Sequence, residues 1–205
     1  MRVLDINGGH IKRGIDWGDV ARDDLRPDAV YVKLTEGQTY TSRWAEQGAR
    51  EAHEGGFPIG FYHFARPDTA QGDPLDAAKE AKHYLETATS FQIPISLPWV
   101  LDIERAKDWE GLAGWADRWI ETIADATGGY EIFLYASPRY LRRLRGQHHG
   151  LEMIRLWIAH YGVRYPRIPE GLPWSTYALH QYTSRYVCDG LRKRVDVSRT
   201  PPMGI

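Results

Sequence analysis

Trp99-Val100-Leu101-Asp102-Ile103-Glu104 sets two carboxylic acids two positions apart at the end of an apolar run. Residues i and i+2 of a β-strand share a face, with Cα atoms about 6.6 Å apart at about 3.3 Å of rise per residue. Asp102 and Glu104 should therefore point the same way from the open end of one strand. Like charges held that close raise the proton affinity of one of the two. A protonated acid beside an ionised partner is the pairing that glycoside hydrolysis uses. D-x-E triplets are common; the apolar residues before this one are what mark it as a strand end.

The elements that must position these acids are legible as short runs of β-branched and aromatic residues. Eight such runs read as strands: 3–6, 29–34, 59–64, 99–104, 131–136, 155–160, 177–182 and 194–197. Helical patterns separate the early ones. Residues 43–54 stop at Gly55-Gly56, and 75–89 follow Asp73-Pro74, which reads as an N-cap with proline at the first helical position. Leu112, Trp115, Trp119 and Ile123 recur at helical spacing before Gly128-Gly129. Each strand–helix–strand unit implies a parallel pair with a right-handed crossover. Pro166, Pro169, Gly171 and Pro173 exclude a helix from residues 161–174, and 183–193 is too short for a crossover helix. The pattern predicts an α/β fold, a small eight-stranded TIM-like barrel whose helical ring is incomplete.

In such barrels the chemistry gathers at the C-terminal ends of the strands. Those ends carry Asp5, Glu36, His63, Asp102 with Glu104, Tyr135, His160, Gln181 and Asp196. A buried carboxylate is costly unless paired or used, so several converging on one mouth point to catalysis. With 8 Trp and 12 Tyr, the chain also has aromatic faces on which sugar rings could stack, notably Tyr62, Tyr135, Trp157, Tyr161, Trp174 and Tyr182. Trp44, Trp115 and Trp119 read as core.

The 205 residues, 42% hydrophobic and 26% charged, suit one soluble globular domain, 1–205. No apolar stretch approaches the roughly 20 residues of a transmembrane helix, and the N-terminus shows no secretory signal. The single cysteine, Cys188, excludes an internal disulfide. Net charge is −1, which argues against a nucleic-acid binder. The charge is uneven, however: residues 1–138 hold 14 basic and 23 acidic groups, a balance of −9, against 12 and 4, a balance of +8, in residues 139–205. Arg139, Arg142, Arg143 and Arg145 fall in one short helical stretch, and Arg192-Lys193-Arg194 forms a second cluster. Mutual attraction of the two halves is one reading, and a basic rim facing an anionic polymer is the other. Phosphate-cradling, dinucleotide-binding, G-x-S-x-G and H-E-x-x-H motifs are all missing, and His148-His149 lacks ligand spacing. Neither a metal nor a cofactor is expected.

Seven motifs in order then carry a family resemblance: Leu4-Asp5-Ile6 with Gly14-Ile15-Asp16-Trp17, Val32-Lys33-Leu34-Thr35-Glu36-Gly37, Gly60-Phe61-Tyr62-His63-Phe64, Leu101-Asp102-Ile103-Glu104, Leu156-Trp157-Ile158-Ala159-His160-Tyr161, His180-Gln181-Tyr182-Thr183-Ser184 and Val195-Asp196-Val197. Over essentially its whole length the chain resembles glycoside hydrolase family 25, the Chalaropsis-type lysozymes common among bacteriophage endolysins. The resemblance implies a (β/α)5(β)3 barrel and β-1,4-N-acetylmuramidase action on peptidoglycan. It implies Glu104 as general acid, Asp102 as the residue orienting the substrate acetamido group, and Asp5 and Asp196 lining the same pocket. Tyr62, Tyr135 and Gln181 would contact the −1 sugar. A monomer is expected, made in a host cytoplasm and released to the wall by a holin or a virion, with no nucleic-acid or membrane partner.

Two stretches depart from the family pattern. Asp5 is followed by Ile6-Asn7-Gly8-Gly9-His10 and Asp196 by Val197-Ser198-Arg199, so the sugar contacts of the first loop and the shape of the last strand end are altered. Two alternatives stand beside a muramidase. A chitinase-like hydrolase would share the D-x-E end, but positions 97–100 are Leu-Pro-Trp-Val, without that group's further aspartates. A glycan-binding barrel without turnover would have less need of all four acids.

Overall fold

The computed structural model describes residues 1–68, 73–106, 110–129, 131–146 and 149–202. His148 and the side chain of His149 lie outside them. The chain begins with β1 (Arg2–Ile6), two short helices α1 (Gly8–Ile11) and α2 (Trp17–Arg22), and then β2 (Ala29–Glu36) with a two-residue partner, β3 (Tyr40–Thr41). Helix α3 (Ala45–Glu54), β4 (Ile59–Phe64), α4 (Asp76–Ser90), β5 (Trp99–Asp102), α5 (Leu112–Thr127) and β6 (Ile132–Ala136) follow. Two short helices, α6 (Pro138–Leu141) and α7 (His149–Met153), lead to β7 (Arg155–Ala159), β8 (Leu179–Tyr186) and β9 (Val195–Arg199).

Eight of these strands close a barrel in the order β1-β9-β8-β7-β6-β5-β4-β2, sealed by the β1–β2 pairing, with β3 appended at the rim of β2. Pairs from β1–β2 round to β7–β8 are parallel, whereas β9 runs antiparallel to both β8 and β1. Helices cover only part of the ring, and the connection from β7 to β8 is irregular through its prolines.

Both faces of the strands are buried, so each strand supplies two cores. Leu4, Val30, Leu101, Leu134, Leu156 and Val197 face outward into the helical layer. Their neighbours Val3, Tyr31, Val100, Tyr135, Trp157 and Leu179 fill the interior. Helix α5 buries Leu112, Trp115, Trp119 and Ile123 on one face and stops at Gly128, at φ 74°, a backbone that favours glycine.

Three local expectations change. Strand β5 ends at Asp102, so Glu104 lies just beyond the ladder. Helix α4 starts at Asp76, not at Pro74: Asp73 Oδ1 accepts from the Leu75 N–H at 2.9 Å and forms a turn ahead of the helix. Of the four arginines from 139 to 145, only Arg139 lies inside a helix, because α6 ends at Leu141. They form no helical basic face.

Gly60, on the interior parity of β4, leaves room for the Tyr31 ring. A Cβ there would sit 2.4 Å from Tyr31 Cε1 and 2.8 Å from Leu97 Cβ. Gly60→Ala should destabilise the barrel by about 1–3 kcal/mol, read as a lower midpoint in thermal unfolding; an unchanged midpoint would show that the interior yields.

Candidate active site

Four carboxyls meet at the mouth where the parallel strands end. Asp5 comes from β1 and Asp102 from the end of β5, with Glu104 two residues beyond it. Asp196 is the second residue of β9. Because β9 is reversed, it reaches this mouth with its beginning, so Asp196 does not sit at a C-terminal strand end as the sequence suggested. It lies directly opposite Asp5 in the antiparallel register. All four line one open cleft of about 520 Å³, together with Tyr62, Tyr135, Trp157 and Gln181, a volume in the range of ligand sites.

Gln181 ties the floor together. Its Oε1 accepts from the Tyr135 hydroxyl at 2.8 Å and the Tyr161 hydroxyl at 2.5 Å, and its Nε2 donates to Asp5 Oδ2 at 2.8 Å. Three acceptor–donor pairings leave the amide one orientation. Trp157 lies beneath the floor, its indole N–H donating to Ser198 Oγ at 2.8 Å and its ring packed on Tyr31 and Tyr135. It is a base plate rather than an open stacking face.

Burial acts on all four acids in the same direction. Desolvation holds Asp102 well above the ordinary carboxyl range, and the neighbouring Glu104 charge adds to this while Lys33 opposes it. Asp102 is 5% exposed, and its Oδ1 is buried without a hydrogen-bond partner among the described residues. Desolvation also raises Glu104, with Asp196 reinforcing it and Lys33 and the nearby Tyr135 hydroxyl opposing it. Asp5 is raised well above its usual value by burial and by Asp196, and Asp196 is raised by burial. The two lie within hydrogen-bond reach of each other. Two facing carboxyls in one apolar wall hold one proton between them more readily than two negative charges.

Lys33 is a site residue that the strand-end reading missed. It lines the cleft, its Nζ lies 4.4 Å from the centroid of Phe64, and it pairs with Glu36 Oε2 at 2.6 Å. Glu36 is held in turn by Arg66, whose Nε donates to Oε1 at 2.7 Å. Glu36 thus anchors Lys33 and does not line the cleft itself. A lysine on the same parity as Tyr31 within an apolar strand was the available signal. Trp44, read as core, also lines the cleft beside Arg43.

Two expected binding residues lie elsewhere. His63 is fully buried on the outer face of β4, next to Tyr84 and Trp119. Burial keeps its imidazole below its ordinary range. The neutral ring donates from Nε2 to Glu80 Oε2 at 2.8 Å and accepts from Thr35 Oγ1 at Nδ1, also at 2.8 Å. Adjacent strand residues face opposite ways, so with Tyr62 in the cleft His63 could not join it. His160 has the outward parity of Leu156 and Ile158; its Nδ1 accepts from the Arg167 N–H at 3.3 Å and it does not line the cleft. Cys188 is buried, which pushes its thiol up to about 12.

Glycosyl hydrolases family 25 matches residues 8–191 of the chain. Lysozyme M1 of Streptomyces globisporus is 26% identical over 192 residues, covering 89% of this chain and 63% of its own length. The autolytic lysozyme of Clostridium acetobutylicum is 22% identical over 197 residues, covering 96% and 55%. The chain thus spans only 55–63% of these two curated relatives. Among solved structures, the bacterial lysozyme from Streptomyces coelicolor superposes with a TM-score of 0.80 at 21% identity, over 100% of this chain and 93% of that one. The Clostridium perfringens spore cortex lytic enzyme SleM gives 0.81 at 23% identity, over 98% and 67%. These likenesses show the same fold.

Two stability measurements follow from the site. The native proton affinity of Asp102 is raised, so the folded state binds more protons than the unfolded one above the ordinary value of 3.8. Its burial therefore costs stability increasingly as pH rises. Asp102→Asn should melt a few degrees higher than wild type at pH 7, at about 2–4 °C per kcal/mol, with the gap closing below pH 3.8. Conversely, His63→Ala removes one of the donors to buried Glu80 Oε2 and leaves a gap beside Tyr84 and Trp119, and should cost about 3 kcal/mol, read in denaturant titrations. A stable His63→Ala protein with a weakened response to substrate would reverse the placement of His63 outside the site.

Proposed function

The chain belongs to the glycosyl hydrolases of family 25, and on that premise we propose that residues 1–205 act as one muramidase domain. The bond cut is the β-1,4 link between N-acetylmuramic acid and N-acetylglucosamine in bacterial peptidoglycan. The observation that carries this reading is the gathering of Asp5, Asp102, Glu104 and Asp196 in one cleft. Glu104 and Asp196 are the two partly open members, and both have a raised proton affinity. Asp196 is engaged with Asp5 opposite it, which leaves Glu104 to hold a proton for the leaving glycosidic oxygen. As that bond breaks, positive charge develops at the anomeric carbon and the carboxylates around it become stabilising.

Asp102 adjoins Glu104 and keeps a buried oxygen without a partner. An acetamido N–H of the −1 sugar would supply one, turning that group's carbonyl oxygen toward the anomeric carbon. Asp5 and Asp196, opposite each other on β1 and β9, would share a proton beside Asp102 and Glu104. Gln181, Tyr62 and Tyr135 line the same cleft, where they would meet the sugar hydroxyls. A glycan-binding role without turnover is less economical, because four clustered acids destabilise a site that only binds.

Glu104→Gln should keep the fold and lower wall hydrolysis by about 10²–10⁴-fold. Mass spectrometry of wild-type digests should show fragments ending in reducing muramic acid. Reducing N-acetylglucosamine ends, or lysis by the Glu104→Gln protein near the wild-type rate, would overturn the assignment. The pH profile gives a further check. The acid form of Glu104 is the active one, so activity falls as pH rises through its raised value. Asp196 reinforces that rise; Asp196→Asn should therefore move the alkaline limb of whatever activity it retains to lower pH.

A further inference from the structure

The cleft carries a second kind of charge. Lys12, Lys33 and Arg43 line it as well as the acids. Lys33 is committed to Glu36 and acts on both Asp102 and Glu104. Lys12 and Arg43 are different. Both are exposed, and among the described residues neither makes an ion pair with a carboxylate. Neither is among the charges acting on Glu104 or Asp196. They therefore stand as exposed cations lining the cleft, with no carboxylate partner among the described residues.

The lip is built rather than loose. The Arg43 guanidinium lies over the Trp44 ring, 4.7 Å from its centroid; stacked this way, its edge N–H groups stay free for a carboxylate. Trp44 packs against the core beneath. The altered loop after β1 presses against it: a Cβ at Gly8 would come within 3.1 Å of Trp44 Cδ1. Ser42, beside Arg43, is itself buried. Lys12 follows the same loop, at the end of α1.

Unpaired cations at the edge of an acid-lined cleft offer nothing particular to a neutral N-acetylglucosamine unit. A muramoyl unit is different, because it carries a carboxylate on its lactyl ether or on the peptide attached there. Such a group would be repelled by four acids unless cations received it at a defined place. We propose that Lys12 and Arg43 form a carboxylate subsite that takes the acid group of a muramoyl residue and so sets the register of the glycan strand. The inference rests on the muramidase reading and names the feature by which the cleft would separate peptidoglycan from chitin.

The test is calorimetric titration of the whole chain with three forms of N-acetylglucosaminyl-N-acetylmuramic acid, none of which contains the bond to be cut. One has the free lactyl carboxylate, one has it as a neutral amide, and one bears a dipeptide with its acid on the peptide. Wild type should bind an acid form about ten-fold more tightly than the amide, and the advantage should shrink in high salt. Lys12→Gln/Arg43→Gln, exposed positions whose melting should not change, should lose that advantage. Preference for the free acid places the lactyl group at the lip, and preference for the dipeptide places the stem there. Equal affinity for all three forms, undetectable binding included, overturns the subsite, as does a preference that survives the double substitution. Reducing ends released from whole peptidoglycan by the same wild-type preparation report on the muramidase reading separately.

Discussion

Placing four carboxyls in one low-dielectric mouth is the constraint around which this molecule is organised. Each would be ionised in water, and each is made to hold its proton more tightly by burial, reinforced for Asp5, Asp102 and Glu104 by neighbouring acids. The arrangement costs folding energy, and it survives only because a closed barrel leaves the strands no freedom to spread apart. The antiparallel pairing of β9 with β1 brings Asp5 and Asp196 face to face, and closure through β1–β2 brings that pair round to the mouth it shares with Asp102 and Glu104. In an open sheet β1 would lie five strands away from β5, and the two pairs of acids could not meet.

The remaining polar groups partition this strain. Gln181 fixes Asp5 from below and consumes the hydroxyl protons of two tyrosines. Lys33, held by Glu36, which Arg66 braces in turn, moderates Asp102 and Glu104 without neutralising either. The balance leaves Glu104 raised but partly open, which suits an acid that must release a proton and regain it. Behind the barrel wall, the Thr35–His63–Glu80 chain satisfies a second set of buried polar atoms. That network supports the strands that carry Lys33 and Tyr62 and does not touch the cleft.

Much of this was legible before any coordinates. The eight strands, their mostly parallel order and the lapse of helices after the sixth follow from apolar runs, glycine stops and prolines. Asp5, Asp102, Glu104, Asp196, Tyr62, Tyr135 and Gln181 were all identified and share the cleft. Glu36, His63 and His160 were grouped with them because each lies near a strand end, and parity then sent them elsewhere. For His63 the alternation with Tyr62 could have been applied to the sequence itself. Glu36 likewise has the parity of Val30, Val32 and Leu34, but a register shift between Lys33 and Thr35 interrupts the alternation, so its ion pairs with Lys33 and Arg66 emerge only in the structure.

Residue order alone thus determined the fold class and the acids available for chemistry, since hydrophobic periodicity and local breakers are short-range properties. Tertiary structure decided which acids face one another, which proton affinities rise and which cations remain unpaired. Those depend on through-space distance and on exclusion of water, and both are set only when β9 turns back to close the ring beside β1.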